Sequence, residues 1–257
     1  MALRKDEEFD RTHLSVDKKL SEGGIHRDYI AHCHRWSHVV HYLETRQKKY
    51  TRLATERYKT AKILDVGCGV DIPLYKVICS NKFGGVQSYT GVDINKLELD
   101  RTRFSEKRKL QPILLGETDI LSVTETDANV ITSFEVLEHV PFDYAKDTVN
   151  HLYNISVEDA EFIVSTPVYD DRIGMASNHI NEMTREVFSD MLSEAGWKIT
   201  ENYGTFASKR DIYPNMSDEH RKVYDELKKY YCHQQMATIF APLYPEYSRN
   251  NLWVCTK

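Results

Sequence analysis

The chain of 257 residues has no long apolar run. Nothing in it approaches the ~20 consecutive apolar residues that a membrane-spanning helix needs. Its opening, MALRKDEEFDRTHL, is too charged for the apolar core of a secretory signal. Cysteine is sparse. The five residues, at 33, 68, 79, 232 and 255, show no CxxC spacing, which excludes a zinc ribbon and points to free thiols in a reducing compartment. A cytoplasmic protein without membrane insertion is the expectation. Excess positive charge is missing too. Lys and Arg number 34 against 39 Asp and Glu, a formal net charge of −5. That argues against broad nonspecific nucleic-acid binding but leaves room for a local basic patch. There is no internal repeat or low-complexity tract. The length fits one domain with extensions, long enough to bury a sizeable core.

What the chain does have is a series of short apolar runs, each ending in an acid. Lys62-Ile63-Leu64-Asp65-Val66 breaks into Gly67-Cys68-Gly69. That is how a buried parallel strand hands over to a turn that binds phosphate or nucleoside. Side-chain-free positions let a ligand approach the backbone closely. Ser88–Asn95 ends in Asp93, placed to accept from a ribose diol. Pro112–Ile120 ends in Asp119, which could accept from an adenine amino group. Ala128–Glu135 and Ala160–Pro167 follow, then Trp197–Phe206 and Asn251–Thr256. Strand candidates separated by helix-compatible stretches predict a doubly wound α/β sheet. A nicotinamide enzyme is disfavoured, because Ile72 occupies the slot of the third glycine in G-x-G-x-x-G.

DVGCG, GVDIN, TDI, TSFEVLEHV and NHINEMTREVFSDMLSEAGW resemble class I S-adenosylmethionine-dependent methyltransferases over about residues 60–200. The resemblance implies a Rossmann-like sheet of seven strands, mostly parallel with the last antiparallel. It implies that Asp65, Gly67, Cys68 and Gly69 surround the methionine part of S-adenosyl-L-methionine and that Asp93 with Ile94 holds the ribose. Asp119 with Ile120 flanks the adenine, and Phe134 lines the site. Where the family often carries a further glycine, this chain has Asp71.

The segment after the fourth strand, Phe134-Glu135-Val136-Leu137-Glu138-His139-Val140, should face the ligand edge of the sheet. In a helical turn Glu135, Glu138 and His139 would share one face. Two carboxylates and an imidazole converging there suit a divalent ion, with His179 available as a fourth donor. Mg²⁺ or Mn²⁺ is favoured over zinc. The ExxEH string resembles two branches of the methyltransferases: O-methyltransferases of ubiquinone biosynthesis and small-RNA 3′-terminal 2′-O-methyltransferases. The resemblance implies Glu135, Glu138, His139 and His179 as metal ligands, with Glu138 and His139 central to catalysis. A metal-free polar pocket, with His139 as general base, is the alternative. The acceptor expected first is a small hydroxylated molecule; a nucleic-acid group such as an RNA 2′-hydroxyl is the rival. A non-catalytic protein that binds the cofactor or a partner is a third reading, and a homo-oligomer is compatible with all three.

The organisation read from the sequence is a polar leader, 1–24, and one methyltransferase-like domain, 25–257. Within it lie a helical cap at 25–60, a core at 61–207, a lid-like insertion at 208–250 and a terminal strand at 251–257. His34, His38 and His41 fall at helical spacing but read better as packing or surface. The basic run Arg46, Lys48, Lys49, Arg52, Arg57 and Lys59 reads as a solvated helix face. The Asn/Asp-Pro-Pro-aromatic tetrad of amino-methylating enzymes is absent. No cysteine is placed for attack on a cytosine ring.

Overall fold

The structure, a computed structural model, describes residues 27–52, 60–80, 85–97 and 110–257. The polar leader lies outside the described residues, as do Arg57 and Lys59 of the basic run. Helix α1 (Arg27–Arg52) carries no glycine or proline. Its buried stripe, Trp36, Val39, Val40 and Leu43, recurs at helical spacing and faces the sheet.

Seven strands form one sheet: β1 (Ala61–Val66), β2 (Val86–Val92), β3 (Pro112–Leu115), β4 (Val130–Phe134), β5 (Glu161–Pro167), β6 (Lys198–Phe206) and β7 (Asn250–Thr256). Their spatial order is β3-β2-β1-β4-β5-β7-β6. The first five run parallel, and β7 is antiparallel to both β5 and β6. This is the doubly wound, Rossmann-like architecture expected from the sequence. The order reverses at β1, between β2 and β4. In open α/β sheets ligands bind at such a reversal, outside the carboxyl ends of the strands.

The central strands β1, β4 and β5 are mostly buried because both faces are covered. Leu64, Phe162, Val164 and Trp253 pack on one face against α3 (Phe142–Ile155) and α4 (Arg185–Glu194). Ile63, Ile163, Leu252 and Val254, the alternating residues, pack on the other with α1 and α2 (Pro73–Ser80). Each fully buried aliphatic side chain contributes about 1.5–3 kcal/mol. Thr184 caps α4 by accepting from the Val187 N–H at 3.3 Å.

Between β6 and β7 the chain builds a satellite with its own core of Ile212, Met216, Tyr224, Met236, Phe240 and Tyr244. Its longest elements are α5 (Asp218–Leu227) and α6 (His233–Ile239). A bond from the Ala207 N–H to the Ala237 carbonyl, 2.7 Å, ties α6 to the end of β6. Among the described residues no helix is long and apolar enough to cross a membrane.

Candidate active site

The turn after β1 is shaped by two glycines in the left-handed region, Gly67 (φ 67) and Gly69 (φ 72). A Cβ on Gly67 would lie 2.3 Å from Val136 Cγ2, so the loop after β4 closes directly onto this turn. Asp93, at the end of β2, fastens the turn from the other side. One carboxylate oxygen accepts from the Gly69 N–H at 2.8 Å; the other accepts from the Asn95 N–H and Nδ2 at 2.9 and 2.8 Å. A carboxylate has about four acceptor positions, so three bonds leave capacity for a ligand hydroxyl. Asp119 caps the short helical turn Ile120–Ser122 and also accepts from the Tyr144 hydroxyl, both through Oδ1. Ile120 is buried in the core, while Ile94 and Phe134 are half-buried. Buried Cys68 sits where a Cβ on Gly91 would come within 2.9 Å of its sulfur. Asp71, which replaces a family glycine, points outward, 82% exposed and 3.9 Å from Lys76. The replacement puts no side chain into the turn.

Among the described residues, three non-glycine residues have positive φ: Ile72 (41), Glu117 (51) and Glu135 (56). They follow β1, β3 and β4 at their carboxyl ends. Backbone strain of this kind gathers where function holds it in place, and here it marks the ligand edge of the sheet.

Asp65, at the end of β1, is tied to the neighbouring strands. It is buried beneath the turn, accepting from Tyr89 OH at 2.5 Å and Thr132 Oγ1 at 2.7 Å. Burial pushes its carboxyl up to about 6, against the pull of those two bonds. The native state therefore holds this proton more tightly than the unfolded chain. Its stabilising effect is present at low pH and is lost as pH rises through about 6. Between pH 4.5 and 7.5 the wild type should lose about 2 kcal/mol of stability relative to Asp65→Asn. Urea unfolding of both proteins at the two pH values measures this; a constant difference would show that Asp65 titrates normally.

The most unusual group lies after β4. Leu137–His139 forms a single 3₁₀ turn. The Glu138 carbonyl accepts from the Ile180 and Asn181 N–H groups at 3.0 and 3.1 Å, which clamps the turn to the loop after β5. Glu138 is fully buried, and among the described residues neither carboxylate oxygen has a hydrogen-bond partner. Burial drives its pKa well above the ordinary carboxylate range; Glu135 adds to the rise, and Arg35 works against it. His139 and His179 stand beside it, their rings edge to face at 4.8 Å. His139 Nδ1 is 3.1 Å from the Asn178 carbonyl, which can only accept. That fixes the proton on Nδ1 and places the lone pair on Nε2, 3.9 Å from Glu138 Oε1. His179 Nδ1 is held at 2.5 Å by Glu182 Oε1, which leaves its Nε2 as the ring nitrogen available to a ligand. Burial would raise the Glu182 carboxyl, but bonds from His179 and the Ala176 N–H outweigh it and hold the pKa low. One ligand atom from each of Glu138, His139 and His179 lies within 4.8 Å of the others.

Glu135 stands apart from that trio. Because its φ is 56, the helical turn begins only after it, and the shared face expected for Glu135, Glu138 and His139 does not form. Its carboxylate accepts from Ser165 Oγ and Asn250 Nδ2, both at 2.7 Å, and lies 3.8 Å from Arg35 Nη2. Arg35 also donates to Asn250 Oδ1 at 3.3 Å. The sequence reading missed Arg35 and Asn250. A signal did exist for Arg35, a charged residue four positions from Ala31 and Val39 within the apolar stripe of α1. The N-terminal histidines form no such cluster with one another among the described residues. His38 is instead held at about 4 by burial and by neighbouring His34 and His41, so it stays neutral.

A doubly wound sheet with a glycine turn at its reversal point and an acid at the next strand end defines a nucleoside-binding α/β protein. A profile of the methyltransferase domain matches residues 35–202, and the chain belongs to that family. Membership supports an S-adenosylmethionine-dependent methyltransferase. No curated protein matches the chain. Among solved structures, the methyltransferase domain of bacterial CtHen1-CN aligns with TM-score 0.52 and 16% identity, over 88% of this chain and 100% of that one. Magnesium protoporphyrin IX methyltransferase from Synechocystis PCC 6803 with bound SAM gives 0.51 and 14%, over 89% and 81%. The [4+2]-cyclase SpnF gives 0.51 and 15%, over 81% and 80%. These likenesses establish the fold. The reactions they name differ, so the chemistry must be argued from the residues.

Proposed function

We propose that the protein methylates a hydroxyl oxygen of a small acceptor, assisted by a divalent ion held by Glu138, His139 and His179. The observation that carries this reading is Glu138, a buried carboxylate with no donor to satisfy it, facing two imidazoles whose Nδ1 atoms are already fixed. A buried carboxylate of this kind must stay protonated or meet a cation. Imidazoles pinned through Nδ1 by a carbonyl and a carboxylate have the supporting shell of metal-binding histidines. Two nitrogens and one carboxylate favour Mn²⁺ over Mg²⁺, which prefers oxygen donors. Glu135, occupied by Ser165 and Asn250, serves to orient the site.

S-Adenosyl-L-methionine supplies a methyl group on a cationic sulfur. A divalent ion supplies Lewis acidity toward the acceptor hydroxyl. Asp93 and the Gly67–Gly69 turn hold the nucleoside end of the donor at the β1–β2 rim. The loop after β4 sets the Glu138 group beside that turn through the Gly67–Val136 contact. As the new O–C bond forms, the S–C electron pair returns to sulfur and the hydroxyl proton leaves. With Glu138, His139 and His179 all engaged by the ion, that proton passes to solvent.

The test is methyl transfer to a catechol, followed by release of S-adenosylhomocysteine. Chelator should abolish turnover, and added Mn²⁺ should restore it more fully than Mg²⁺. Full activity in excess chelator would favour a metal-free site with His139 Nε2 as base. Methylation of a short RNA in place of catechol, with steep salt dependence, would favour the nucleic-acid acceptor.

A further inference from the structure

A cavity of about 360 Å³ opens beside the loop after β5. Six of its ten lining residues (Arg210, Asp211, Asn215, Tyr247, Ser248 and Arg249) come from the insertion between β6 and β7, and the other four come from 168–172. The insertion is thus the larger part of a pocket wall rather than surface decoration.

The charge of this wall is unbalanced. Three guanidinium groups, Arg172, Arg210 and Arg249, meet two carboxylates, Asp170 and Asp211, which leaves one positive charge. Arg249 is the deep member, its side chain 15% exposed, against 63% for Arg172 and Arg210. It is locked in place: Nε donates to Asp211 Oδ2 at 3.0 Å, and Nη1 lies 3.2 Å from Asp170 Oδ2. Among the described residues its Nη2 has no hydrogen-bond partner, but it is shielded from the open space, so an anion meets it only after the Arg249 side chain shifts. An unmet guanidinium N–H pair inside a protein is costly, and an oxyanion is the group that best satisfies it. Arg172 forms a fork with Asp170 and also reaches Asp211 at 3.3 Å; Arg210 reaches Asp211 at the same distance. Both arginines lie toward solvent, where an entering anion meets them first.

The cavity and the proposed ion site are linked through the loop after β5. Val168 on its wall pairs with Met183, and Tyr169 donates to the Met183 carbonyl at 2.9 Å. Met183 directly follows Glu182, the residue that holds His179. One loop therefore carries both the cavity wall and an imidazole of the ion site.

We propose that this cavity seats an oxyanion of the acceptor, a carboxylate or a phosphate monoester, with Arg249 as the deep contact and Arg172 and Arg210 at the mouth. Its role as an acceptor subsite rests on the methyltransferase reading above. Tyr169 and Tyr247 flank the space and suit an acceptor whose anion is borne on a ring. The acceptor class narrows to hydroxylated acids or phosphates.

The experiment is calorimetric titration of the full chain with phenyl phosphate, benzoate and neutral benzyl alcohol, without donor or metal. One anion at least should bind with a Kd of about millimolar order, and the alcohol more weakly. Arg249→Gln and Arg210→Gln should each weaken that binding about tenfold. Tighter phenyl phosphate identifies a phosphate-bearing acceptor; tighter benzoate identifies a carboxylate. Should Arg249→Gln fail to fold, Arg210→Gln, altered at an exposed position, carries the test. Anions that bind no better than benzyl alcohol, or undiminished binding in the folded variants, would overturn the proposal. A parallel titration with S-adenosylmethionine separates the two readings. Donor binding without anion binding removes only this subsite, and anion binding without donor binding removes the methyltransferase reading.

Discussion

Glu138→Gln should lower methyl transfer by about 10²–10³-fold, the scale of losing a preorganised charge from a reacting centre. Donor affinity should stay as it is, because Glu138 lies after β4 while the nucleoside contacts proposed above gather at β1, β2 and the Asp119 turn. Stability offers a second, independent readout. In the metal-free protein burial pushes the Glu138 pKa well up and favours the protonated carboxyl. A neutral amide of the same shape should then change the unfolding free energy by about 1 kcal/mol or less. A structural carboxylate would behave oppositely, since replacing a paired buried charge destabilises strongly. Mn²⁺ should raise the melting temperature of the wild type and leave that of Glu138→Gln unmoved. The wild-type affinity for Mn²⁺ should tighten as pH rises, because the ion must displace the proton from Glu138. Kinetics with S-adenosylhomocysteine release, calorimetry with donor and thermal unfolding with and without Mn²⁺ cover these outcomes. Normal turnover in Glu138→Gln would remove the residue from the chemistry. A loss of donor affinity would place it in the wrong half of the pocket.

The sheet was legible in the sequence because burial of the central strands on both faces leaves short, mostly apolar runs. Ile63 and Leu64 serve opposite cores, as do Ile163 and Val164. The acids at the strand ends could be read for the same reason, as interruptions of those runs. Their individual partners could not. Asp65 and Asp93 look alike in sequence, each ending an apolar run. In space one is an internal prop under Tyr89 and Thr132, and the other a clamp on the glycine turn. The difference comes from strand pairing that brings Thr132 alongside Asp65. Glu135 shows a related limit. Helical spacing groups it with Glu138, but a left-handed backbone at Glu135 sends its carboxylate to Ser165 and Asn250. No spacing rule reports a positive φ at a non-glycine residue. The arginine cavity is a product of long-range contact alone, since Asp170 and Arg249 lie far apart in the chain yet 3.2 Å apart in the fold.

Asp93→Ala should weaken S-adenosylmethionine binding about 100-fold, the equivalent of roughly 2.7 kcal/mol of charge-assisted hydrogen bonding. Two effects act together. The proposed acceptor for the ligand diol is gone, and the Gly69 N–H and Asn95 donors that Asp93 holds are released. The second effect loosens the very turn that must receive the donor. It should also destabilise the fold by about 1–3 kcal/mol, the cost of leaving buried donors unmet. Turnover at saturating donor should fall far less than affinity, which is the reverse of the Glu138 variant. The two variants thus divide the pocket into a binding half on β1 and β2 and a reacting half after β4. Asp71→Ala is the matched control. It removes an acid from the same turn, but from a side chain that points to solvent, 82% exposed and 3.9 Å from Lys76. Donor affinity in that variant should remain within about twofold of wild type. Calorimetry with S-adenosylmethionine measures both, with circular dichroism confirming that each variant is folded. An Asp93→Ala protein that binds donor as tightly as wild type would mean that the nucleoside does not lie at the end of β2, and the assignment of the sheet edge would fail with it.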